Sequence, residues 1–361
     1  MNHPSPTNDP TASSGDSRSG PKTGGPRLGP REIEAIARMV GDTPLLKIHY
    51  RLGDQTAAVY TKYESENMTG SIKDRMAIHT LRQAITDSEL QPGATIVEAS
   101  SGNTGISFAA IGAALGHPVR IYMPNWMSHE RVNLIRSFGA EIIPVSRAQG
   151  GFVGAVQMAE QYAQQHVRVF LPRQFDNVLN IEAHQTWTGP ELVKQMESFG
   201  QRPHAFVAGV GTGGSVMGIG RCLRTTWPDV RVHPLEPANS PTLRTGVCVG
   251  QHRIQGISDE FVPSIVDLDE LDEVIDVWDG DAILMAQMLC RKLGLAVGIS
   301  SGANLLGAIR LQQEMGPNAV VATLFPDSNK KYLSTDLCKP EPERDDYLAP
   351  QVELLGLEVA R

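Results

Sequence analysis

The sequence predicts an α/β protein built as two three-layer α/β domains with mainly parallel sheets, and three observations carry that expectation. Short β-branched runs alternate with amphipathic stretches of helix length. The apolar runs read as buried strands, as parallel sheets covered on both faces require. Two glycine-rich turns, Ser100-Ser101-Gly102-Asn103-Thr104-Gly105 and Gly211-Thr212-Gly213-Gly214-Ser215, each follow an apolar run and open a helix. That is the ligand-binding position at the carboxyl end of a strand. The turns are far apart in sequence, so the ligand is expected between two domains.

Residues 1–29 are dominated by Ser, Pro, Gly and Thr and read as a disordered tail. Strands are expected over 57–63, 95–99, 119–123, 141–145, 205–208, 231–235 and 320–325. Between them, Ala77, Leu81, Ala84 and Ile85 recur at helical spacing, and a second helix starts at Gly105 after the Ser-Gly-Asn turn. The expected division is an N-terminal α/β domain over 30–178, a C-terminal α/β domain over 179–340 and a C-terminal extension over 341–361.

The 361 residues, 41% hydrophobic and 20% charged, suffice for a large core. A net charge of −8 without clustered Lys and Arg argues against nucleic acid and for a small-molecule substrate. Cys222, Cys248, Cys290 and Cys338 form no CxxC pair and lie at no metal-ligand spacing, so no metal is expected. They read as reduced thiols of a cytoplasmic protein. The longest apolar stretch, 106–115, is glycine-interrupted and too short for a bilayer, and no signal pattern precedes it.

The chemistry rests on Lys73, set in Asn67-Met68-Thr69-Gly70-Ser71-Ile72-Lys73-Asp74-Arg75 just inside a helix start. Alone, Lys73-Asp74-Arg75 also reads as a solvated charged face. A partly desolvated amine near a cationic ring loses its proton near neutral pH, as imine formation and proton abstraction require. In the 211–215 turn, backbone N–H groups can close around a phosphate while Ser215 donates a further hydrogen bond. The same segment satisfies G-x-G-x-x-G, and Glu236 ends the next strand where a dinucleotide-binding acid is expected. On this segment alone a nicotinamide-dependent oxidoreductase fits equally. The 100–105 turn is a second anion site suited to a carboxylate, or an ordinary N-cap turn. A dinucleotide enzyme does not need it, whereas an amino-acid enzyme does. Ser300 again ends an apolar run before a helix; it is either a cap or a neutral partner for a pyridine nitrogen, a setting that favours expelling a β-leaving group. Together these groups suit an enzyme that holds pyridoxal phosphate as an imine and acts on an amino acid.

With Gly41-Asp42-Thr43-Pro44-Leu45, Met127-Ser128-His129-Glu130-Arg131, Gln174-Phe175, Thr188-Gly189-Pro190, Glu236-Pro237, Ile254-Gln255-Gly256-Ile257, Pro326-Asp327-Ser328 and Tyr332-Leu333-Ser334-Thr335, these segments resemble the fold-type II pyridoxal-phosphate enzymes of the cysteine synthase and cystathionine β-synthase family over about residues 33–338. The resemblance implies a tryptophan-synthase-β-like architecture with the active site between domains. It implies Lys73 as the Schiff-base lysine, Asn103 as partner of the ring hydroxyl, Gly211, Thr212, Gly213, Gly214 and Ser215 as the phosphate loop, and Ser300 at the pyridine nitrogen. Ser100, Ser101, Thr104 and Gln174 would receive the substrate carboxylate, with Gly102 and Gly256 beside them. The implied reaction is β-replacement on an activated serine, O-acetylserine, with sulfide to give L-cysteine, in a homodimer. Within the family, a cystathionine β-synthase or another thiol-using enzyme is the alternative, and a serine or threonine dehydratase a further one. Outside it, an NAD-binding oxidoreductase leaves Lys73, Asn103 and Ser300 unexplained, and a non-catalytic scaffold predicts erosion of these contacts.

Three departures stand out. The lysine loop has Met68-Thr69 where many relatives have Pro-Ala or Pro-Thr, and Ser100 stands where Thr is usual. In Gly256-Ile257-Ser258-Asp259-Glu260-Phe261 the two carboxylates would repel a phosphate, so O-phosphoserine is expected to be a poor substrate.

Overall fold

The computed structural model describes residues 30–361 apart from 259 and 317, so the tail read over 1–29 lies outside the described residues. Its strands are β1 (Leu45–Leu52), β2 (Gln55–Tyr63), β3 (Thr95–Ala99), β4 (Val119–Pro124), β5 (Glu141–Val145), β6 (Val169–Phe170), β7 (Ala205–Gly209), β8 (Arg231–Pro237), β9 (Ile275–Val277), β10 (Val321–Phe325) and β11 (Val352–Ala360). They form a seven-stranded sheet in the order β11-β1-β2-β10-β7-β8-β9 and a four-stranded sheet in the order β5-β4-β3-β6. The small sheet is parallel throughout. In the large one β2 to β9 run parallel, and β1 lies antiparallel to both its neighbours. Every strand expected from the sequence is present, and β1, β6, β9 and β11 add to them.

The sheets do not divide the chain near residue 178. β1 and β2, expected in the N-terminal domain, join the large sheet, where Tyr60 to Tyr63 pair in register with Ala322 to Phe325 of β10. The reason is burial on both faces: Val59, Tyr60, Thr61 and Lys62 are all enclosed, which a strand at a sheet edge does not allow. Nor is 341–361 a free extension, since β11 pairs with β1 along its length, reinforced by Lys47 with Glu358 and Arg51 with Glu353.

Two helices show how composition sets burial. Asn103–Ala114 has nine buried residues, most of them Gly, Ala, Ser or Thr, whose small side chains let it pack on several faces. Ile299–Met315 packs on β10 and β7 and buries thirteen residues. Each fully enclosed Ile or Leu along it contributes about 1.5–3 kcal/mol of transfer free energy. Among the described residues no helix is long and apolar enough to cross a membrane. The architecture brings four helix N-termini into play for the site: Lys73–Thr86, Asn103–Ala114, Gly214–Thr226 and Ile299–Met315.

Candidate active site

Lys73 opens its helix, and the loop before it is tied down from two directions. Gly70 C=O accepts from Ser328 N at 3.2 Å and from Lys331 Nζ at 2.9 Å, while Ile72 N donates to Pro326 O at 2.8 Å. Asp74 accepts from Thr69 N, Thr69 Oγ1 and Ser107 Oγ, each at 2.6 Å, stitching the loop to helix Asn103–Ala114. Asp74 and Arg75 are 0% exposed, so the solvated-face reading of Lys73-Asp74-Arg75 fails for the two residues after the lysine. The Arg75 guanidinium forks between Glu64 and Glu191, and Lys62 Nζ reaches Glu191 Oε2 at 2.8 Å. Those cations hold the Glu64 carboxyl down at about 2 against its burial.

The 100–105 turn follows β3. Ser100 Oγ accepts from Gly102 N at 3.1 Å and Gly105 N at 2.9 Å, which leaves its own O–H to donate. Thr104 Oγ1 donates to Gln174 Oε1 at 2.6 Å, and Gln174 Nε2 donates to Ala99 O at 2.7 Å. Beneath them Glu98 is 3% exposed and accepts only backbone N–H groups, from Ala99 at 2.9 Å and Gln174 at 3.3 Å. Burial without a countercharge in contact pushes its carboxyl up to about 8.

The second glycine turn follows β7 and opens helix Gly214–Thr226. Gly213 has φ +87°, a left-handed conformation suited to glycine. A Cβ on Gly211 would run into the carbonyl oxygen of Gly256, so two backbones meet there with no room for side chains. Asn180 Nδ2 fixes Thr212 Oγ1 at 2.8 Å, and Asn304 Oδ1 holds Gly209 N at 2.9 Å. The unpaired first N–H groups of this helix form an anion cradle.

Ser300 is 4% exposed and lines the cleft. Asn103 Nδ2 donates to Asp327 Oδ2 at 2.7 Å, and the buried Tyr332 hydroxyl donates to the same oxygen. Burial, reinforced by the Asp327 carboxylate, holds the Tyr332 phenol protonated well above its usual range. Asn103 Oδ1 is buried without a partner, an acceptor for a ligand hydroxyl.

Of the residues singled out from the sequence, Lys73, Ser100, Ser101, Gly102, Asn103, Thr104, Gln174, Gly211, Thr212, Gly213, Ser215, Gly256 and Ser300 line one cleft; Gly214 sits just behind, against Asn180. Arg131, Tyr332 and Gln255 line it too, although their motifs carried no assigned role in the sequence. A wider cleft continues outward past Trp126, Arg147, His252 and Glu260. Asp259, the other carboxylate of that loop, lies outside the described residues.

An amine, an anion cradle on a helix N-terminus, a hydroxyl at a third helix start and an orphan acceptor together match the four edges of pyridoxal phosphate. The comparisons agree. The family model for pyridoxal-phosphate dependent enzymes matches residues 36–327. A probable cysteine synthase of Bacillus subtilis (strain 168) is 39% identical over 305 residues, spanning 84% of this chain and 97% of its own. The hydrogen sulfide-producing enzyme from Fusobacterium nucleatum superposes with a TM-score of 0.89 at 52% identity, over 92% of this chain and 99% of that one. A cysteine synthase from Entamoeba histolytica gives 0.77 at 31%, over 93% and 96%. The chain belongs to the pyridoxal-phosphate-dependent enzymes and, within them, groups with the cysteine synthases.

Proposed function

We propose that this enzyme joins sulfide to the β-carbon of O-acetylserine, releasing acetate and forming L-cysteine. The observation that carries the reading is the convergence on one cleft of the Lys73 helix start, the 211–215 cradle and the 100–105 turn. The cofactor, when bound, supplies the electron sink that makes the substrate's α-proton acidic. Its phosphate would rest on Gly211 to Ser215, its ring nitrogen against Ser300 and its ring hydroxyl on Asn103. Lys73 Nζ takes the α-proton and returns it to the same carbon after sulfur has added. Ser101, Thr104 and the amides of the 100–105 turn orient the carboxylate, and Gln174 braces Thr104. The enclosed walls keep water from the β-carbon while acetate leaves.

A second reading runs the exchange in the other direction, with sulfide leaving L-cysteine as water or a thiol adds. The 52% identity to a hydrogen sulfide-producing enzyme favours it. Glu260 on the outer cleft supports poor use of O-phosphoserine under either reading. The first reading carries with it a cytoplasmic homodimer, and sedimentation equilibrium of purified protein checks the dimer.

The test measures products from the holoenzyme. Cysteine formed from O-acetylserine and sulfide, faster than sulfide is released from cysteine, supports the first reading. The reverse ranking selects the second. Lys73→Ala should abolish turnover and the visible absorbance of the lysine-bound cofactor together, and retained turnover removes Lys73 from its role.

A further inference from the structure

Arg131 is 2% exposed, yet it lines the cleft. Among the described residues, no carboxylate lies within ion-pair distance of it. Its guanidinium donates instead to three neutral oxygens: from Nε to Ser128 Oγ at 2.9 Å, from Nη1 to Ser101 C=O at 2.8 Å and from Nη2 to Gln255 Oε1 at 2.6 Å. Its carbon centre stands 5.3 Å from the Tyr332 ring centroid. Burying a cation against neutral acceptors alone costs free energy, and burial lowers its pKa against the pull of Tyr332, Asp327 and Glu130. What the guanidinium gains in return is a fixed three-way geometry.

That geometry spans the cleft. Ser101 belongs to the carboxylate turn after β3. Gln255 precedes Gly256, whose carbonyl packs against Gly211 of the phosphate cradle. Gly102 lies so close under Arg131 that a Cβ there would sit 2.5 Å from its Cδ. On the third side, Ser128 Oγ passes on to Lys331 C=O at 2.8 Å, and Lys331 Nζ holds the lysine loop at Gly70. One planar guanidinium thus ties three segments of the chain together.

We propose that Arg131 is a positioning residue that couples the substrate carboxylate, seated on the Ser101 turn, to the placement of Gln255 and Gly256 on the facing wall. The coupling rests on the carboxylate assignment made above for the proposed function. Loss of the Arg131 fork should therefore cost ligands with a free α-carboxylate more than their esters, because only that group draws on the turn Arg131 fixes. Lysine at 131 keeps the charge but offers no rigid three-way fork.

The test uses the holoenzyme, with L-serine and L-serine methyl ester titrated against the cofactor's absorbance. Arg131→Lys should weaken L-serine binding roughly tenfold, leave the ester nearly unchanged and leave cofactor content intact. Gln255→Ala, at the far end of the strut, should weaken L-serine several-fold. The double variant should bind no worse than Arg131→Lys alone, because the two share one path. Additive losses overturn the coupling, as do equal losses for acid and ester, or L-serine binding unchanged in Gln255→Ala. The last holds even where Arg131→Lys fails to fold. A wild-type holoenzyme whose spectrum responds to no amino acid overturns the proposed function and the coupling with it, so the two failures read differently.

Discussion

Two sets of buried ionisable groups in this molecule follow opposite rules. Behind the lysine, Lys62, Glu64, Arg75 and Glu191 form a closed set of two cations and two anions joined by short contacts, with Thr43 and Asn67 filling the remaining hydrogen bonds. Around the cleft, Glu98, Arg131 and His184 are as deeply buried, and among the described residues none makes an ion pair. The consequence is visible in their protonation. Paired Glu64 stays ionised down to about 2, whereas Glu98 is pushed up to about 8. Burial, with Lys73 and Arg75 nearby, lowers His184 to about 3. Pairing thus keeps Glu64 ionised, whereas burial without a partner favours the neutral forms of Glu98 and His184.

The comparison breaks most severely at Arg75. Arg75→Met leaves Glu64 and Glu191 enclosed with Lys62 as their single cation, and removing one partner of a buried pair costs about 3–5 kcal/mol. Denaturant unfolding of the variant should show that loss. A change below about 1 kcal/mol would mean that the set is not structural.

How much of this contrast was legible beforehand depends on range. Lys73, the 100–105 turn and the 211–215 turn stand out because each is a local string whose residue types imply backbone geometry. The strand over 95–99 is equally local, since burial on both faces leaves a largely apolar run. By contrast, β1 alternates Leu46, Ile48 and Tyr50 with Lys47, His49 and Arg51, and β2 follows it directly, but nothing nearby names its other partner: Lys47 meets Glu358 across 311 residues. β2 likewise meets β10 only across the length of the chain, which is why the large sheet takes strands from both sides of residue 178. β6 and β9, two and three residues long, are too short to show a period. Arg75 read as surface because charge is the usual mark of exposure, and its carboxylate partner Glu191 lies 116 residues on. Arg131 was visible within a motif, but its strut to Gln255 spans 124 residues and exists only in the fold.

Glu98→Gln sharpens the other half of the comparison, with an effect that is absent at low pH and develops as pH rises. The folded protein keeps the Glu98 proton up to about 8, while the unfolded chain releases it near 4.5. Between those values the folded state binds more protons, so stability falls as pH rises. His184 acts with the opposite sign, since its contribution is lost as pH falls from 6.5 toward 3. Gln at 98 cannot ionise and can still accept from Ala99 or Gln174. The variant should therefore match the wild type at pH 4.5 and exceed it at pH 9, read from denaturant midpoints. Parallel curves would show that Glu98 does not carry this titration.

The smallest effect is expected where opposite charges meet in water. Arg202 Nη2 lies 2.9 Å from Asp229 Oδ2, as short as the contacts behind the lysine, but the side chains are 54% and 87% exposed. Solvent screens the attraction, and holding two mobile side chains together costs entropy. Arg202→Ala should therefore change stability by about 0–1 kcal/mol, with any difference fading as salt is raised. Denaturation at low and high ionic strength measures both. A loss comparable to that of Arg75→Met would show that contact distance, rather than enclosure, decides what an ion pair contributes here. A negligible loss assigns the difference to the desolvated partners left behind when a buried set is opened.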